Sequence, residues 1–293
     1  MFQRVSRMQY HAKPERPDPL YAKKLQELIG GQWGEMSVMT QYLFQGWNCR
    51  GPAKYRDMIL DIGTEEIGHV EMLATMVCRL LEGASTEDQE ATAKGGGVVA
   101  AILGGTSPKD MIAAAAMNPQ HAIVGGLGAM PADSVGNRWS AHYITSSGNL
   151  LADFRLNVTA ESQGRLQACR LYEMTTDPGV RDMLSFLIAR DTMHQNQWLA
   201  AIEELELEGF DRTPVPNTFP QQQELQMVSY QYWSLSSGDG ASREGRWASG
   251  PTPDGRGEFE YLEQPEPLGD EPVLGQVDPR LHGTAKMPTP TTA

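Results

Sequence analysis

Six residues of this chain combine carboxylates and imidazoles at spacings that suit metal binding. A carboxylate stands three residues before a histidine twice, so the two side chains of each pair lie on one face of a helix. A lone glutamate precedes each histidine at a nearly equal distance, 34 residues in the first case (69 − 35) and 33 in the second (194 − 161). This match predicts a duplicated helix hairpin that closes around a pair of metal ions. The six residues are Glu35, Glu66, His69, Glu161, Asp191 and His194.

The sequence around these six residues predicts four helices. Apolar side chains recur at steps of three and four, which is typical of the buried face of a helix in a bundle. Asp18 and Asp177 are each followed by a proline. An aspartate as the cap residue with proline at the first helical position is typical of a helix start. The predicted helices run from Pro19 beyond Tyr42, from about Pro52 to Gly83, from about Leu150 to Met174, and from Pro178 to just before Gly209.

Acidic residues on all four buried helix faces need to be neutralised. An unpaired carboxylate in an apolar interior is costly. Four carboxylates and two imidazoles make a strongly anionic pocket that two divalent or trivalent cations would neutralise. These ligand types suit manganese, iron or zinc. The alternative is that the side chains form buried salt bridges or lie on a solvated surface. Glu65 falls outside the buried face, and we expect it on a solvated one.

The connections between the helices predict their arrangement. Only a few residues join the first helix to the second and the third to the fourth, and short links make neighbours antiparallel. A glycine-rich crossover, residues 84–147, separates the second helix from the third, and residues 109–117 could form a short helix within it. Two hairpins joined by one long crossover are the ferritin-like arrangement. We therefore predict an all-α fold, with a ferritin-like four-helix bundle in residues 1–210.

Residues 211–293 follow a different pattern. Prolines and glycines recur, which predicts an extended and mostly irregular C-terminal tail. Aromatic side chains such as Tyr232, Trp233 and Tyr261 are too frequent for a solvated linker. We expect the tail to pack on its own bundle or on a neighbouring subunit.

The composition limits the classes of partner. The formal net charge is −13, which argues against nucleic acid and anionic membranes, because both bind basic surfaces. No apolar run reaches the ~18 residues that span a bilayer, and residues 1–19 do not resemble a secretion signal. Cys49, Cys78 and Cys169 are odd in number and well separated. We expect reduced thiols in a cytoplasmic protein.

The motifs resemble those of the manganese catalases. The resemblance rests on runs 34–36 (Gly-Glu-Met), 64–72 (Thr-Glu-Glu-Ile-Gly-His-Val-Glu-Met) and 157–170, on the Asp-x-x-His helix, and on the crossover and tail. It implies a homo-oligomer, typically a hexamer, that disproportionates hydrogen peroxide to water and oxygen with two manganese ions per subunit. The implied ligands are Glu35 and His69 for one ion, Glu161 and His194 for the other, and Glu66 as the bridge.

Two further residues have a role that the resemblance implies. In the family, the carboxylate three residues before the last histidine serves as an acid–base group outside the metal ligands, and that position is Asp191. Tyr42 follows Glu35 by seven residues on the same helix face. Its hydroxyl would either hydrogen-bond a ligand carboxylate or belong to a core aromatic at one end of the bundle. The resemblance favours the first alternative, because Tyr42 matches a tyrosine of the family.

Some members of the family carry a structural calcium ion. The matching positions in this chain are Asp57, Asp61, Ser234, Ser236 and Gly238. Two carboxylates four residues apart on one helix face, together with an oxygen-rich loop, suit calcium. An acid pair on a helix surface and an ordinary turn, without any ion, are the alternative.

Two other functions fit the same residues. A ferritin-like di-iron oxidase would use the same ligand types, since affinity alone does not set the metal in the cell. A structural, coat-type metal protein would keep the bundle and use metal for assembly. We expect the catalase function, because a purely structural site needs neither Tyr42 nor an acid at Asp191.

Overall fold

The chain divides into two compact units, Met1–Thr218 and Phe219–Ala293. The computed structural model describes residues 5–82, 120–216, 218–235, 241–275 and 277–282. Gly83, the expected end of the second helix, lies outside the described residues, and so does the short helix predicted for residues 109–117. Of the predicted crossover, residues 120–147 are described.

The first hairpin of unit one contains four helices rather than the two predicted. They are α1 (Pro19–Leu25), α2 (Glu27–Gly30), α3 (Glu35–Asn48) and α4 (Ala53–Leu81). Asp18 caps α1, because its side chain accepts a hydrogen bond from the backbone N–H of Tyr21. Helix α4 begins directly after Pro52, as predicted.

The prediction of one continuous helix from Pro19 beyond Tyr42 is wrong, since α2 ends at Gly30 and a turn separates it from α3. The Gly34 N–H donates to the Gly31 carbonyl oxygen at 3.0 Å across this turn. A Cβ atom on Gly30 would lie 2.4 Å from the backbone of Ala132, so only glycine lets the two chain segments approach this closely. The break makes Glu35 the first residue of α3. Its carboxylate therefore belongs to a helix N-terminus, where the helix dipole favours negative charge.

The second hairpin follows the prediction closely. It consists of α6 (Leu150–Glu173) and α7 (Pro178–Leu207). The Asp177 side chain accepts hydrogen bonds from the N–H groups of Gly179 and Val180 and so caps α7. Gly209, just past the end of α7, has φ of +90°, a left-handed conformation that glycine adopts without a steric penalty.

The two hairpins enclose a polar layer between two apolar clusters. Helix α3 packs mainly on α4 and α6 mainly on α7, while α4 touches α7 and α3 touches α6. One cluster includes Leu73, Met76 and Leu187, and the other includes Ile62 and Trp198. On α4 and α7 the predicted ligands occupy the turns between these clusters. The helices therefore surround these polar groups with apolar residues on both sides.

The described part of the crossover, residues 120–147, contains little regular structure. It includes a one-turn helix, α5 (Gln120–Ile123), and a 3-10 turn (Ala141–Tyr143). The Gln26 amide donates hydrogen bonds to the carbonyl oxygens of Met130 and Ala132, with a distance of 2.8 Å to the latter. This contact fixes the crossover against the junction between α1 and α2.

The second unit contains strands that an all-α fold does not include. Strands β1 (Gln231–Ser234), β2 (Gly250–Pro251) and β3 (Glu258–Glu263) form a sheet in the order β1-β3-β2. Strand β1 runs parallel to β3, and β2 runs antiparallel to it. The rings of Tyr232 and Tyr261, which face each other across β1 and β3, meet edge to face with centroids 5.2 Å apart. Aromatic pairing within the unit thus accounts for part of its aromatic content.

Two further expectations concern the whole chain. The three cysteines are all free, as predicted, and each is half-buried. In the described part of the chain, no helix has the length and apolar character that crossing a membrane requires.

Candidate metal centre

The six residues that the sequence singles out meet in the polar layer of the bundle. Glu35 comes from α3, Glu66 and His69 from α4, Glu161 from α6, and Asp191 and His194 from α7. All six side chains are buried, and those of Glu66 and both histidines are fully shielded from solvent. The predicted duplication is therefore also spatial. In each hairpin, one helix (α3 or α6) contributes a glutamate, and the next helix (α4 or α7) contributes a carboxylate–histidine pair.

Glu66 lies at the centre of the cluster, between the two histidines. Its Oε2 atom is 2.6 Å from His69 Nδ1, and its Oε1 atom is 2.7 Å from His194 Nδ1. The two imidazole rings lie nearly parallel, with centroids 5.6 Å apart. One carboxylate thus offers an oxygen to each histidine, which is the arrangement expected of a group shared by two sites.

The two outer glutamates sit symmetrically about this centre. Glu35 Oε2 is 3.7 Å from His69 Nδ1, and Glu161 Oε1 is 3.8 Å from His194 Nδ1. Each histidine therefore has one glutamate of its own and shares Glu66 with the other histidine.

Asp191 lies close to the residues of the first half of the cluster. One of its carboxylate oxygens, one of Glu35 and a ring nitrogen of His69 lie within 4.8 Å of one another. A second group with the same limit consists of Glu66, His69 and His194. Asp191 thus shares α7 with His194 but adds a donor atom beside Glu35 and His69.

Tyr42 contacts a predicted ligand directly. Its hydroxyl donates a 2.6 Å hydrogen bond to Glu161 Oε1, and the whole side chain is buried. Its ring packs against Trp198 with centroids 5.0 Å apart. Tyr42 is therefore a core aromatic whose hydroxyl is a hydrogen-bond donor to the cluster and does not lie at an end of the bundle.

Buried amides hold α3 against α6 next to Glu35 and Glu161. Gln41 Nε2 donates to Asn157 Oδ1 at 2.9 Å, and Asn157 Nδ2 donates to Gln45 Oε1 at 2.7 Å. Satisfied polar networks of this kind make a buried arrangement rigid.

Burial and neighbouring negative charges keep three of the four carboxylates from ionising readily. Burial, followed by the charge of Glu66, raises the pKa of Glu35 to about 8. The pKa of Glu161 lies well above its ordinary value for the same two reasons. Burial and the charges of Glu35 and Glu66 raise the pKa of Asp191 in the same direction. In the absence of a cation, these pKa shifts favour the protonated carboxyl groups.

The pKa shifts of Glu66 and of the two histidines favour their charged forms instead. Burial opposes the ionisation of Glu66, but the charges of His69 and His194 outweigh it and lower the pKa of Glu66. Burial likewise opposes the charging of His194, but the charge of the neighbouring Glu66 outweighs it and raises the pKa of His194 to about 10. Without a cation, protons on the imidazoles must balance the central carboxylate.

The cluster fits two metal cations. Glu66 Oε1 and His194 Nδ1 are both buried and face each other at 2.7 Å, yet neither has a hydrogen-bond partner among the described residues. A cation near these atoms would satisfy both, and a carboxylate-rich set with two imidazoles suits manganese or iron. The four carboxylates, when ionised, carry the four negative charges that two divalent ions balance.

The expectation that Glu65 lies on a solvated face is wrong. Its carboxylate is about one-fifth exposed and lies beside both histidines, 3.1 Å from His194 Nε2 and 3.6 Å from His69 Nε2. Arg190 and Gln9 both donate hydrogen bonds to it. The sequence contained one signal for this contact, because Glu65 and His69 are four residues apart on one helix. Arg190 and Gln9 gave no such signal, since the fold alone brings them to Glu65.

The predicted calcium site stays a prediction. Asp57 and Asp61 are exposed on α4. Asp57 forms an ion pair with Arg56, with 3.0 Å between Oδ1 and Nε. Ser234 ends strand β1 in the second unit and is buried. Ser236 and Gly238 lie outside the described residues.

Comparisons with known proteins identify the family of the chain. The sequence matches the family model "Manganese containing catalase" over residues 1–291. "Uncharacterized protein YjqC" of Bacillus subtilis is 58% identical over 284 residues, and a "Manganese catalase" of Bacillus subtilis is 55% identical over 284. Both alignments cover 97% of this chain and 98% of the relative.

A solved structure shares the fold. The crystal structure of KatB, a manganese catalase from Anabaena, superposes with a TM-score of 0.64 at 23% sequence identity, covering 89% of this chain and 99% of that one. With the family model matching almost the entire sequence, the chain belongs to the manganese-containing catalase family.

Proposed function

We propose that this protein disproportionates hydrogen peroxide to water and oxygen at a pair of manganese ions. The observation that carries the proposal is the shared position of Glu66, whose two oxygens face His69 Nδ1 and His194 Nδ1 at 2.6 and 2.7 Å. Membership of the manganese-containing catalase family supports the choice of metal and reaction.

In this proposal each hairpin supplies the ligands of one ion. Glu35 and His69 would hold the first ion, Glu161 and His194 the second, and Glu66 would bridge them. The separations of 3.7 Å between Glu35 and His69 and 3.8 Å between Glu161 and His194 support this division into two equivalent halves.

The chain's own residues would hold and return protons. When bound, the two manganese ions supply the redox chemistry, accepting two electrons from one peroxide and returning them to the next. The first peroxide becomes oxygen and loses two protons, whereas the second takes up two protons and becomes two waters. Asp191, buried beside Glu35 and His69, would accept one of these protons and return it.

Tyr42 would keep Glu161 in position during this cycle. Its 2.6 Å hydrogen bond fixes Glu161 Oε1, the oxygen that lies 3.8 Å from His194 Nδ1. The buried position of Tyr42 among Phe154 and Trp198 supports a fixed hydroxyl rather than a mobile one.

The proposal extends to assembly and location. The bundle of residues 1–210, with its crossover at 84–147, would form the metal-binding domain, and residues 211–293 would pack on it or on a neighbouring subunit. We propose a cytoplasmic homo-oligomer, with a hexamer as the expected state, and a calcium ion near Asp57 and Asp61. Light scattering of the purified protein tests the oligomeric state, and calcium analysis tests the calcium site.

Oxygen evolution tests the function itself. Peroxide is added to purified, manganese-loaded protein in azide at a concentration that silences haem catalases, and Glu66→Ala is measured beside it. Fast oxygen release that disappears in the variant supports the proposal. Two tightly bound ions without oxygen release would instead support the di-iron oxidase or the coat-type structural protein. The metal in protein purified from native cells then separates those two.

A further inference from the structure

In both histidines of the cluster, the second ring nitrogen, Nε2, lies beside the carboxylate of Glu65. Glu65 Oε2 lies 3.1 Å from His194 Nε2, and Glu65 Oε1 lies 3.6 Å from His69 Nε2. The Nδ1 atoms point the other way, towards Glu66. Both Nε2 atoms are buried and lack a hydrogen-bond partner in the described part of the chain. One carboxylate is thus placed to serve two imidazoles that belong to different hairpins.

Glu65 is itself held from two sides. Arg190 on α7 donates from Nε to Glu65 Oε1 at 2.6 Å and from Nη2 to Glu65 Oε2 at 3.0 Å. Gln9 donates from Nε2 to Glu65 Oε1 at 2.7 Å. A two-pronged arginine–carboxylate pair fixes the orientation of the carboxylate as well as its position. Because Glu65 is on α4, this pair also joins the two hairpins beside the histidines.

Gly68 makes room for Gln9, the second residue that holds Glu65. A Cβ atom on Gly68 would lie 3.0 Å from Gln9 Oε1, closer than most such contacts. The N-terminal segment therefore approaches α4 where one helix turn separates Glu65 from His69. Gln9 reaches the carboxylate from this segment.

The chemistry of histidine ligands explains why such a carboxylate matters. A neutral imidazole that binds metal through Nδ1 carries its proton on Nε2. An acceptor for that proton fixes the tautomer and ring orientation and makes the ligand nitrogen more basic. Glu65 is a carboxylate that lies beside both Nε2 atoms, at 3.1 Å from that of His194 and 3.6 Å from that of His69.

We propose that Glu65 is a positioning residue for both metal sites, accepting the Nε2 protons of His69 and His194 while Arg190 holds it in place. This inference rests on the metal pair of the proposed function. It predicts a shared response, because a change at Glu65 weakens both sites together. Loss of an outer glutamate such as Glu35 would weaken one site first.

The amide variant gives the proposal a sharper signature. In Glu65→Gln, the remaining oxygen still accepts a hydrogen bond from one histidine N–H. The NH₂ group faces the N–H donor of the other histidine, so only one histidine keeps a hydrogen-bond acceptor. We expect Glu65→Ala to weaken both sites and Glu65→Gln to weaken one more than the other. Arg190→Lys keeps the charge but loses the two-pronged geometry, and its effect should be intermediate.

Manganese titration of the full-length protein tests these expectations. Metal is removed with a chelator, Mn²⁺ is added in competition with a fluorescent indicator, and bound manganese per subunit is counted by elemental analysis. The electron paramagnetic resonance spectrum of the manganous form reports whether the two ions remain magnetically coupled. Wild type should bind two ions, and Glu65→Ala should lose about 10–100-fold in affinity for both with a changed spectrum.

Control variants separate positioning from a general loss of structure. Glu203→Ala and Arg170→Lys alter exposed residues of α7 and α6 and should leave affinity and spectrum unchanged. The melting temperature of each metal-free variant checks folding. If Glu65→Ala does not fold, Glu65→Gln and Arg190→Lys decide the question.

The outcomes distinguish this inference from the proposed function. If wild type binds two ions and the Glu65 and Arg190 variants bind them with equal affinity and the same spectrum, the positioning role is overturned alone. If wild type binds no manganese pair, the proposed function fails and this inference fails with it.

Discussion

A carboxylate oxygen of Asp191 lies within 4.8 Å of a carboxylate oxygen of Glu35, although the two residues belong to different hairpins. Asp191 shares α7 with His194, yet it reaches the neighbourhood of Glu35 and His69. Burial and the nearby carboxylates of Glu35 and Glu66 raise the pKa of Asp191 and so favour its protonated form. A buried acid beside the cluster is suited to accept a proton and to return it.

Replacing this acid should therefore slow the reaction without emptying the site. In Asp191→Asn we expect wild-type manganese content and a fall in kcat of about 10²–10⁴-fold, the usual contribution of a positioned acid or base. Steady-state oxygen evolution and elemental analysis on the same sample measure the two quantities. Loss of one manganese ion in this variant would instead make Asp191 a ligand, and unchanged kcat would remove it from the proton path.

The central carboxylate should matter to both ions at once. Glu66→Ala removes the group that faces His69 and His194, leaving two imidazoles whose charge Glu66 balances. We expect no stable manganese pair and no oxygen release. Manganese per subunit after gel filtration is the measurement, with the exposed Glu203→Ala on α7 as the control. Two retained ions and full activity would show that Glu66 is not the bridge.

The hydroxyl of Tyr42 should contribute to stability as well as to the site. Tyr42→Phe keeps the ring but leaves Glu161 Oε1 without its buried donor, which costs about 1–3 kcal/mol. Denaturant unfolding of the metal-free protein measures this loss. The matched control is Tyr55→Phe, whose hydroxyl donates to the more exposed Glu208 at 2.9 Å and should cost less. Equal losses in both variants would contradict the argument.

Metal removal should make the stability of the protein more sensitive to alkaline pH. The pKa of Glu35 is raised from 4.5 to about 8 and that of His194 from 6.5 to about 10. Because both pKa values are raised on folding, the stabilisation is complete below the unfolded values and is lost as pH rises through about 8 and then about 10.

The melting temperature of metal-free protein should accordingly fall between pH 7 and pH 10. Manganese binding reverses the effect, because ligands must lose their protons and metal therefore binds better at higher pH. Thermal scans with and without chelator across this range provide the measurement. A metal-free melting temperature that rises over the same interval would contradict the assigned protonation states.

Gly30, the last residue of α2, should not tolerate a side chain. In Gly30→Ala the added Cβ would lie 2.4 Å from the backbone of Ala132, so the crossover or α2 must move. We expect a loss of at least about 1–3 kcal/mol in the free energy of unfolding and weaker binding of the first manganese ion. Gly269→Ala, where nothing lies within 4 Å of the added atom, is the control. An unchanged variant would mean that the break does not depend on this close approach.

Helix propensity and periodicity were enough to predict the long helices. The ends of α6 and α7 fall where the Asp177-Pro178 cap, Gly209 and the apolar repeat place them, because these signals act over a few neighbouring residues. The same local signals failed between Gly31 and Gly34. There the chain forms a turn directly after Gly30, whose close approach to the backbone of Ala132 is a long-range contact that local signals do not encode.

The sequence by itself determined the identity and pairing of the buried donors. Glu66 with His69 and Asp191 with His194 are one helical turn apart, and a helix converts that spacing into a common direction. Only the tertiary structure decided what lies around them. Arg190 meets Glu65 across 125 residues of sequence, and Asp191 lies beside Glu35. Such contacts follow from how the hairpins pack, which residue spacing within one helix does not encode.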